Sequence, residues 1–322
     1  MRETKPAPRL HRSIWYMGAK SRLIPGFLEK VLADELPVGG TFIDLMCGSG
    51  VVSAWCAGLY RVISNDVQSY SAVIARSLIE HSPGTRDDFL ATLDPEADLS
   101  KSYEANYALL AGPYGAALEE EAACLDAYAK DRADGAWADS YREYLRAAAV
   151  LYPGVGGENI AEPFRGAAAL LEGRGEPASR PACLATTYYS NIYFGLRQSL
   201  QIDSLRIAID ELPEGDPWRE ARRTHYLSAL LHAASVSTSG TSHFAQPRHL
   251  VKDSELQAMA RRRLTDIRES LAEYSAAIAQ TVGETVFTEG NQVFNSDYRE
   301  LLDDEGVFRF PSGPGLVYLD PP

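Results

Sequence analysis

The chain has 322 residues, is 45% hydrophobic and 23% charged, and carries a formal net charge of −13. That is the composition of a globular protein long enough for two cores; it excludes a surface coated in basic charge but leaves room for a local basic face. No apolar run reaches the roughly 20 residues that span a bilayer, and the polar start lacks a signal-peptide core, so a cytoplasmic chain without membrane contact is expected.

In chain order, the spacing of Ile24, Phe27, Leu28, Val31 and Leu32 predicts a helix over 24–36, stopped by Pro37 and Gly39-Gly40. Residues 41–46 read as a short apolar strand, 50–59 as a helix, and 61–65 as a second strand, parallel to the first because a helix intervenes. A further helix over 71–79 completes a βαβα opening, the start of an α/β doubly wound sheet. From 81 to 280 the chain is rich in Ala, Glu, Tyr and Arg, with helical runs over 141–151 and 256–278 and glycine- and proline-rich loops at 153–157 and 173–177. Strand character returns at 285–294 and 316–319. The expected domains are therefore 1–80, an inserted and mostly helical 81–280, and 281–322, which rejoins the first sheet.

Two acids and two glycines stand out. Asp44-Leu45-Met46-Cys47-Gly48-Ser49-Gly50 is a strand-to-helix turn in which Gly48 and Gly50 let the backbone approach a bound group, and the next helix offers free N–H groups. Asp66 closes the next strand, where an acid accepts hydrogen bonds from both ribose hydroxyls. Together they imply a nucleoside-containing cofactor, with NAD and S-adenosylmethionine both open at this point. Cys47 lies in the turn but is read, like Cys56, Cys124 and Cys183, as a reduced packing residue, since the four show neither finger nor framework spacing. Finally, Leu319-Asp320-Pro321-Pro322 follows a strand, and two prolines there fix an extended chain with exposed carbonyls beside a carboxylate.

Trp15-Tyr16-Met17-Gly18-Ala19-Lys20, the glycine turn, Asp66 and the late Asp-Pro-Pro, in that order, resemble the Dam-type class of adenine-specific DNA methyltransferases over about 14–78 and 291–322. The resemblance implies a Rossmann-like class I methyltransferase sheet and S-adenosylmethionine as cofactor. Tyr16, Gly18 and Lys20 would hold its methionine end, Asp44, Gly48 and Gly50 would line the turn, Asp66 would take the ribose, and Asn295 and Asp297 would lie at the adenine end. Asp320 and the Pro321 carbonyl, backed by Pro322, would accept both hydrogens of the target amine, with no metal and no nucleophilic cysteine. The insertion would then be a DNA-recognition domain reading double-stranded DNA. Tyr189, Arg197 and Gln198 in one segment, and His243, Gln246 and Arg248 in another, are the candidate contacts. Arg222-Arg223 and Arg261-Arg262-Arg263 read instead as solvated helix faces.

The chain departs from the family at its end: no aromatic follows the second proline, and fewer strands are visible than the family's sheet requires. The expectation is a sheet incomplete at its C-terminal end, with the last strand an exposed edge. Such a chain would be inactive alone, its partners a second polypeptide that completes the sheet or a cognate restriction enzyme. Two other readings stay open, a catalytically dead or split DNA- or cofactor-binding module and a methyltransferase of non-DNA substrates. Asp rather than Asn before the prolines disfavours the latter.

Overall fold

The computed structural model describes residues 24–80, 86–130, 135–148, 183–240, 252–285, 287–303 and 312–320. Its chain divides into two compact units, one of Met1–Asp94, Glu214–Leu231 and Ala272–Pro322, the other of Pro95–Pro213 and His232–Leu271. The long middle segment thus contributes to both.

The first unit begins with a turn of π-helix, Ile24–Leu28, that runs into α1 (Glu29–Glu35). Then come β1 (Thr41–Asp44), α2 (Val51–Cys56), β2 (Arg61–Asn65), α3 (Ser69–Ile79) and the short α4 (Arg86–Ala91). All four residues of β1 are buried, as are the last four of β2, the pattern of strands covered on both faces. Ile43, Leu45 and Ile63 form a cluster with Leu301, while Phe42 and Val62 alternate to the opposite face.

The second unit is helical: α5 (Pro95–Ala111), α6 (Gly115–Lys130), α7 (Ala136–Ala148), α8 (Leu196–Asp210) and α10 (Asp253–Arg263). Between α8 and α10 runs α9 (Arg219–Ser237), which passes from the first unit to the second; α11 (Ile267–Glu284) passes back. Leu125, Tyr128, Trp137, Tyr141, Leu145, Leu256 and Met259 pack α6, α7 and α10 together, and Leu110, Leu196, Leu200 and Ile207 pack α5 on α8. Among the described residues this unit has no strand, in keeping with the helical reading of the middle segment.

The run expected over 256–278 is two helices. Asp266 interrupts it by accepting the N–H groups of Arg268 (2.9 Å) and Glu269 (3.2 Å), which makes it the cap of α11. The expected strand over 285–294 shrinks to β3 (Gln292–Phe294), because the chain turns at Gly290 (φ 78°) and Thr288 is tied to the carbonyls of Ala57 and Tyr60. The chain closes with α12 (Tyr298–Asp303) and β4 (Gly315–Tyr318).

Among the described residues the four strands are all parallel, in the order β3-β2-β1-β4. Parallel pairing brings every strand's carboxyl end to one edge: Asp44 is level with Ser64 on β2 and with Tyr318 on β4. Open parallel sheets bind ligands along this edge. Among the described residues β4 is an edge strand, with Val317 on it and Leu319 just beyond it about half exposed.

Candidate functional site at the carboxyl edge of the sheet

The glycine turn leaves β1 and enters α2 through two residues in the left-handed region, Gly48 (φ 53°) and Gly50 (φ 69°). Gly50 is doubly constrained, because a Cβ there would meet the Ala75 Cα of α3 at 3.3 Å. A Cβ at Gly48 would meet nothing within 4 Å, so the backbone is open on that side. α2 has only six residues, shorter than the predicted helix over 50–59, and the turn is held by side chains around it.

Asp66 is the first of these. Its Oδ2 accepts the Gly48 N–H (2.8 Å) and its Oδ1 accepts the Gln68 N–H (2.8 Å), which latches the turn to the end of β2. Each carboxylate oxygen keeps a second lone pair, so a ligand diol still finds acceptors there. Asn65 is a hub that sequence reasoning missed. Its Nδ2 donates to the carbonyls of Leu45 (3.2 Å) and Ser296 (3.0 Å), its Oδ1 accepts the Ser296 N–H (3.2 Å), and its carbonyl accepts the Cys47 N–H (2.9 Å). Asn295 joins the same edge, donating to the Asp66 carbonyl (2.8 Å) and accepting from Ser69 (3.0 Å). Val67, next to Asp66, is 67% exposed, an apolar surface beside the acid that only its position in the turn could have signalled.

Asp297 serves the protein itself. Its Oδ1 accepts the Arg299 N–H (2.9 Å), capping α12, and its Oδ2 pairs with the Arg299 guanidinium (2.7 Å), which pulls the carboxyl down to about 2.

Asp44 is wholly buried. Its Oδ2 accepts the Ser53 hydroxyl (2.7 Å), which in turn accepts the Ser64 hydroxyl (2.7 Å), while its Oδ1 has no hydrogen-bond partner. Burial raises its pKa to about 7, against the pull of Ser53 and of the Met46 N–H, and the charges of Asp66 and Asp320 push the same way. The two serines were not foreseen. A buried acid needs donors, and small hydroxyls at the first turn of α2 and on the neighbouring strand are where they fit.

Asp320 follows β4 by two residues and is half-buried. The Tyr318 phenol hydrogen-bonds to it and rises to about 12, through burial first and then the charges of Asp320 and Asp44. Phe42 supports the Tyr318 ring at 5.9 Å between centroids. Burial, with Asp44 and Asp66 nearby, drives the Cys47 thiol far above its ordinary range, so it holds no nucleophilic thiolate and stays a packing residue. The predicted Asp44, Gly48, Gly50, Asp66, Asn295 and Asp320 therefore share one edge of the sheet. Tyr16, Gly18, Lys20, Pro321 and Pro322 lie outside the described residues.

The residues expected to touch DNA fare differently. Tyr189 is 45% exposed and packs edge-on against Tyr193 at 5.7 Å, on a tight turn whose Asn191 has φ 60°. Arg197 donates to the carbonyls of Arg263 and Leu264 (3.2 Å each), closing the end of α10, and keeps about a third of its side chain exposed. Gln198 is a correction: it is fully buried, its Oε1 accepts the Gly195 N–H (3.1 Å), and its Nε2 donates to the carbonyls of Arg262 (2.8 Å) and Thr265 (2.9 Å). Both amide N–H groups are used and the side chain is shut off from solvent, so it does not reach a base. Gln198→Ala is accordingly expected to lower stability by about 2–4 kcal/mol, seen in the urea midpoint, because three backbone groups lose a buried partner. A variant as stable as wild type would restore Gln198 to the surface role.

Of the arginines read as solvated faces, Arg261 is exposed, but Arg222 and Arg263 need correction. Arg222 is buried against Asp216 (2.8 Å) and the Thr92 carbonyl (2.9 Å), and Arg263 is 1% exposed with its Nη1 on Tyr141 and Asn191. His243, Gln246 and Arg248 lie outside the described residues.

Among known proteins, a modification methylase, LlaI of Lactococcus lactis subsp. lactis, is 34% identical over 73 residues, which are 23% of this chain and 12% of that protein. No solved structure matches significantly. The family model of the D12 class N6 adenine-specific DNA methyltransferases matches residues 16–134, the stretch that holds the glycine turn and Asp66. Residues 16–134, which include β1 and β2 of the parallel sheet, are therefore similar to the D12 class N6 adenine-specific DNA methyltransferases.

Proposed function

We propose that this chain belongs to an enzyme that transfers a methyl group from S-adenosylmethionine to the exocyclic amine of adenine in double-stranded DNA, as the modification arm of a cytoplasmic restriction–modification pair. The observation that carries this reading is the convergence of Asp320 with the glycine turn and Asp66 at one sheet edge, in a chain whose residues 16–134 match the D12 class.

The residues suit the cofactor. Asp66 has acceptors to spare for a ribose diol, Val67 offers an apolar face for a ring, Gly48 leaves room above the backbone, and Asp44 has an oxygen without a partner. The cofactor, when bound, supplies an electrophilic methyl on a positively charged sulfur.

The chain's own task is to prepare the nitrogen. Adenine's amine is a poor nucleophile because its lone pair is delocalised into the ring. The Asp320 carboxylate accepts one of the amine hydrogens, pulls the nitrogen toward tetrahedral geometry and orients its lone pair. The base must first leave the duplex to reach this edge. Tyr189, 45% exposed and packed edge-on against Tyr193, and the exposed part of Arg197 are the proposed DNA-facing groups.

Incubation of the enzyme that contains this chain with labelled S-adenosylmethionine and duplex DNA, followed by nucleoside digestion, tests the reading. The expected product is N6-methyladenine, and label found only in cytosine, or in protein, would replace it.

A further inference from the structure

We propose that the buried carboxyl of Asp44 makes this site discriminate by charge, favouring the sulfonium methyl donor over the uncharged thioether left after transfer. The inference rests on the cofactor reading above.

One oxygen of Asp44 is committed. The hydroxyl chain runs Ser64 to Ser53 to Asp44 Oδ2, each link 2.7 Å, so both serine protons point toward the carboxyl. The other oxygen, Oδ1, is buried and makes no hydrogen bond of ordinary geometry, the Met46 N–H adding a weaker pull on the carboxyl than Ser53 does. A bare anion in that position is poorly solvated. The groups facing it are the carboxylates of Asp66 and Asp320, the thiols of Cys47 and Cys56 and the phenol of Tyr318; no cationic side chain is among the described charges that act on it.

Two things relieve such a site, a proton on Asp44 or a positive charge close by. They exclude one another, because the proton removes the negative charge that attracts the cation. Binding a cationic ligand should therefore expel a proton, and protonation should weaken the cation's binding. Asp44 titrates at about 7, so this competition falls in the neutral range. S-adenosylmethionine and S-adenosylhomocysteine differ by one methyl and one positive charge at sulfur. Both carry the same α-ammonium, so the sulfonium charge is the difference between them; it gains from an ionised Asp44, and the preference for the methyl donor over its own product should grow as pH rises through neutrality.

Calorimetric titration of the full chain with each ligand, between pH 6 and 9 and in buffers of different ionisation enthalpy, counts the protons directly. S-adenosylmethionine is expected to release up to one proton per site near pH 6.5 and none at pH 9. Its affinity relative to S-adenosylhomocysteine should rise by up to about tenfold per pH unit below 7 and then level off. Asp44→Asn should abolish both effects, and the comparison of the two ligands on the unaltered chain stands even where that variant folds poorly. Equal proton release for the two ligands, or release that survives in Asp44→Asn, would overturn the proposal. Asp66→Ala serves as the separate control, expected to weaken both ligands alike by roughly 10- to 100-fold. If neither ligand binds, or Asp66→Ala changes neither, the cofactor reading itself falls, and the proposal with it.

Discussion

Asp320→Ala is expected to lower the single-turnover rate of adenine methylation by about 10²–10³-fold while changing cofactor and DNA affinity by no more than about threefold. The carboxylate lies two residues beyond β4, held by the hydroxyl of Tyr318, the residue level with Asp44 at the end of β1. An acceptor there acts on the amine most strongly as the nitrogen becomes tetrahedral, so its removal should appear in the chemical step and not in ground-state binding. Asp320→Asn keeps an oxygen acceptor but loses the charge, and should fall between wild type and the alanine variant. A loss of DNA or cofactor affinity as large as the loss of rate would assign Asp320 to binding and remove it from the reaction.

The second large effect concerns stability. Burial holds Asp44 at about 7 against an ordinary 3.8, so between these values the folded chain keeps a proton that the unfolded chain has released. The folded state then binds more protons than the unfolded state, and stability falls as pH rises through that window. About three units correspond to roughly 4 kcal/mol at the upper limit. Asparagine mimics the neutral acid, with its oxygen free to accept from Ser53 and its NH₂ in place of the acid proton. Asp44→Asn should therefore equal the wild type near pH 4 and gain on it by roughly 2–4 kcal/mol by pH 8. Urea midpoints of the two proteins across this range measure the difference, in which all other titrating groups cancel. A difference that stays flat from pH 5 to 8 would mean that Asp44 is ionised and compensated in the folded chain.

On the proposed reading, the methyl donor would bring positive charge to the edge that holds Asp44, Asp66 and Asp320, and would recover part of the cost of ionising Asp44, which desolvation sets first and the two neighbouring acids add to. Neutralising Asp44 should stabilise the fold and weaken that preference at once.

What the sequence by itself determined is local. The strand, the glycine turn and the acid at the end of the next strand are legible because backbone conformation at Gly48 and Gly50, and the alternation of apolar residues, depend on near neighbours in the chain. The cap at Asp266, with Glu269 three residues on, was equally available to local reading and divides what looked like one helix. The tertiary structure decided the rest. Whether an Arg or Gln faces solvent depends on which carbonyls and carboxylates arrive from distant segments, and Gln198, Arg222 and Arg263 were drawn inward by partners 6 to 130 residues away. Asp44 reads as one more acid in a motif, yet parallel pairing with β2 and β4 places Ser64 and Tyr318 beside it, removes it from water and brings Asp66 and Asp320 within electrostatic reach. Desolvation and charge act through space, and only the fold sets those distances.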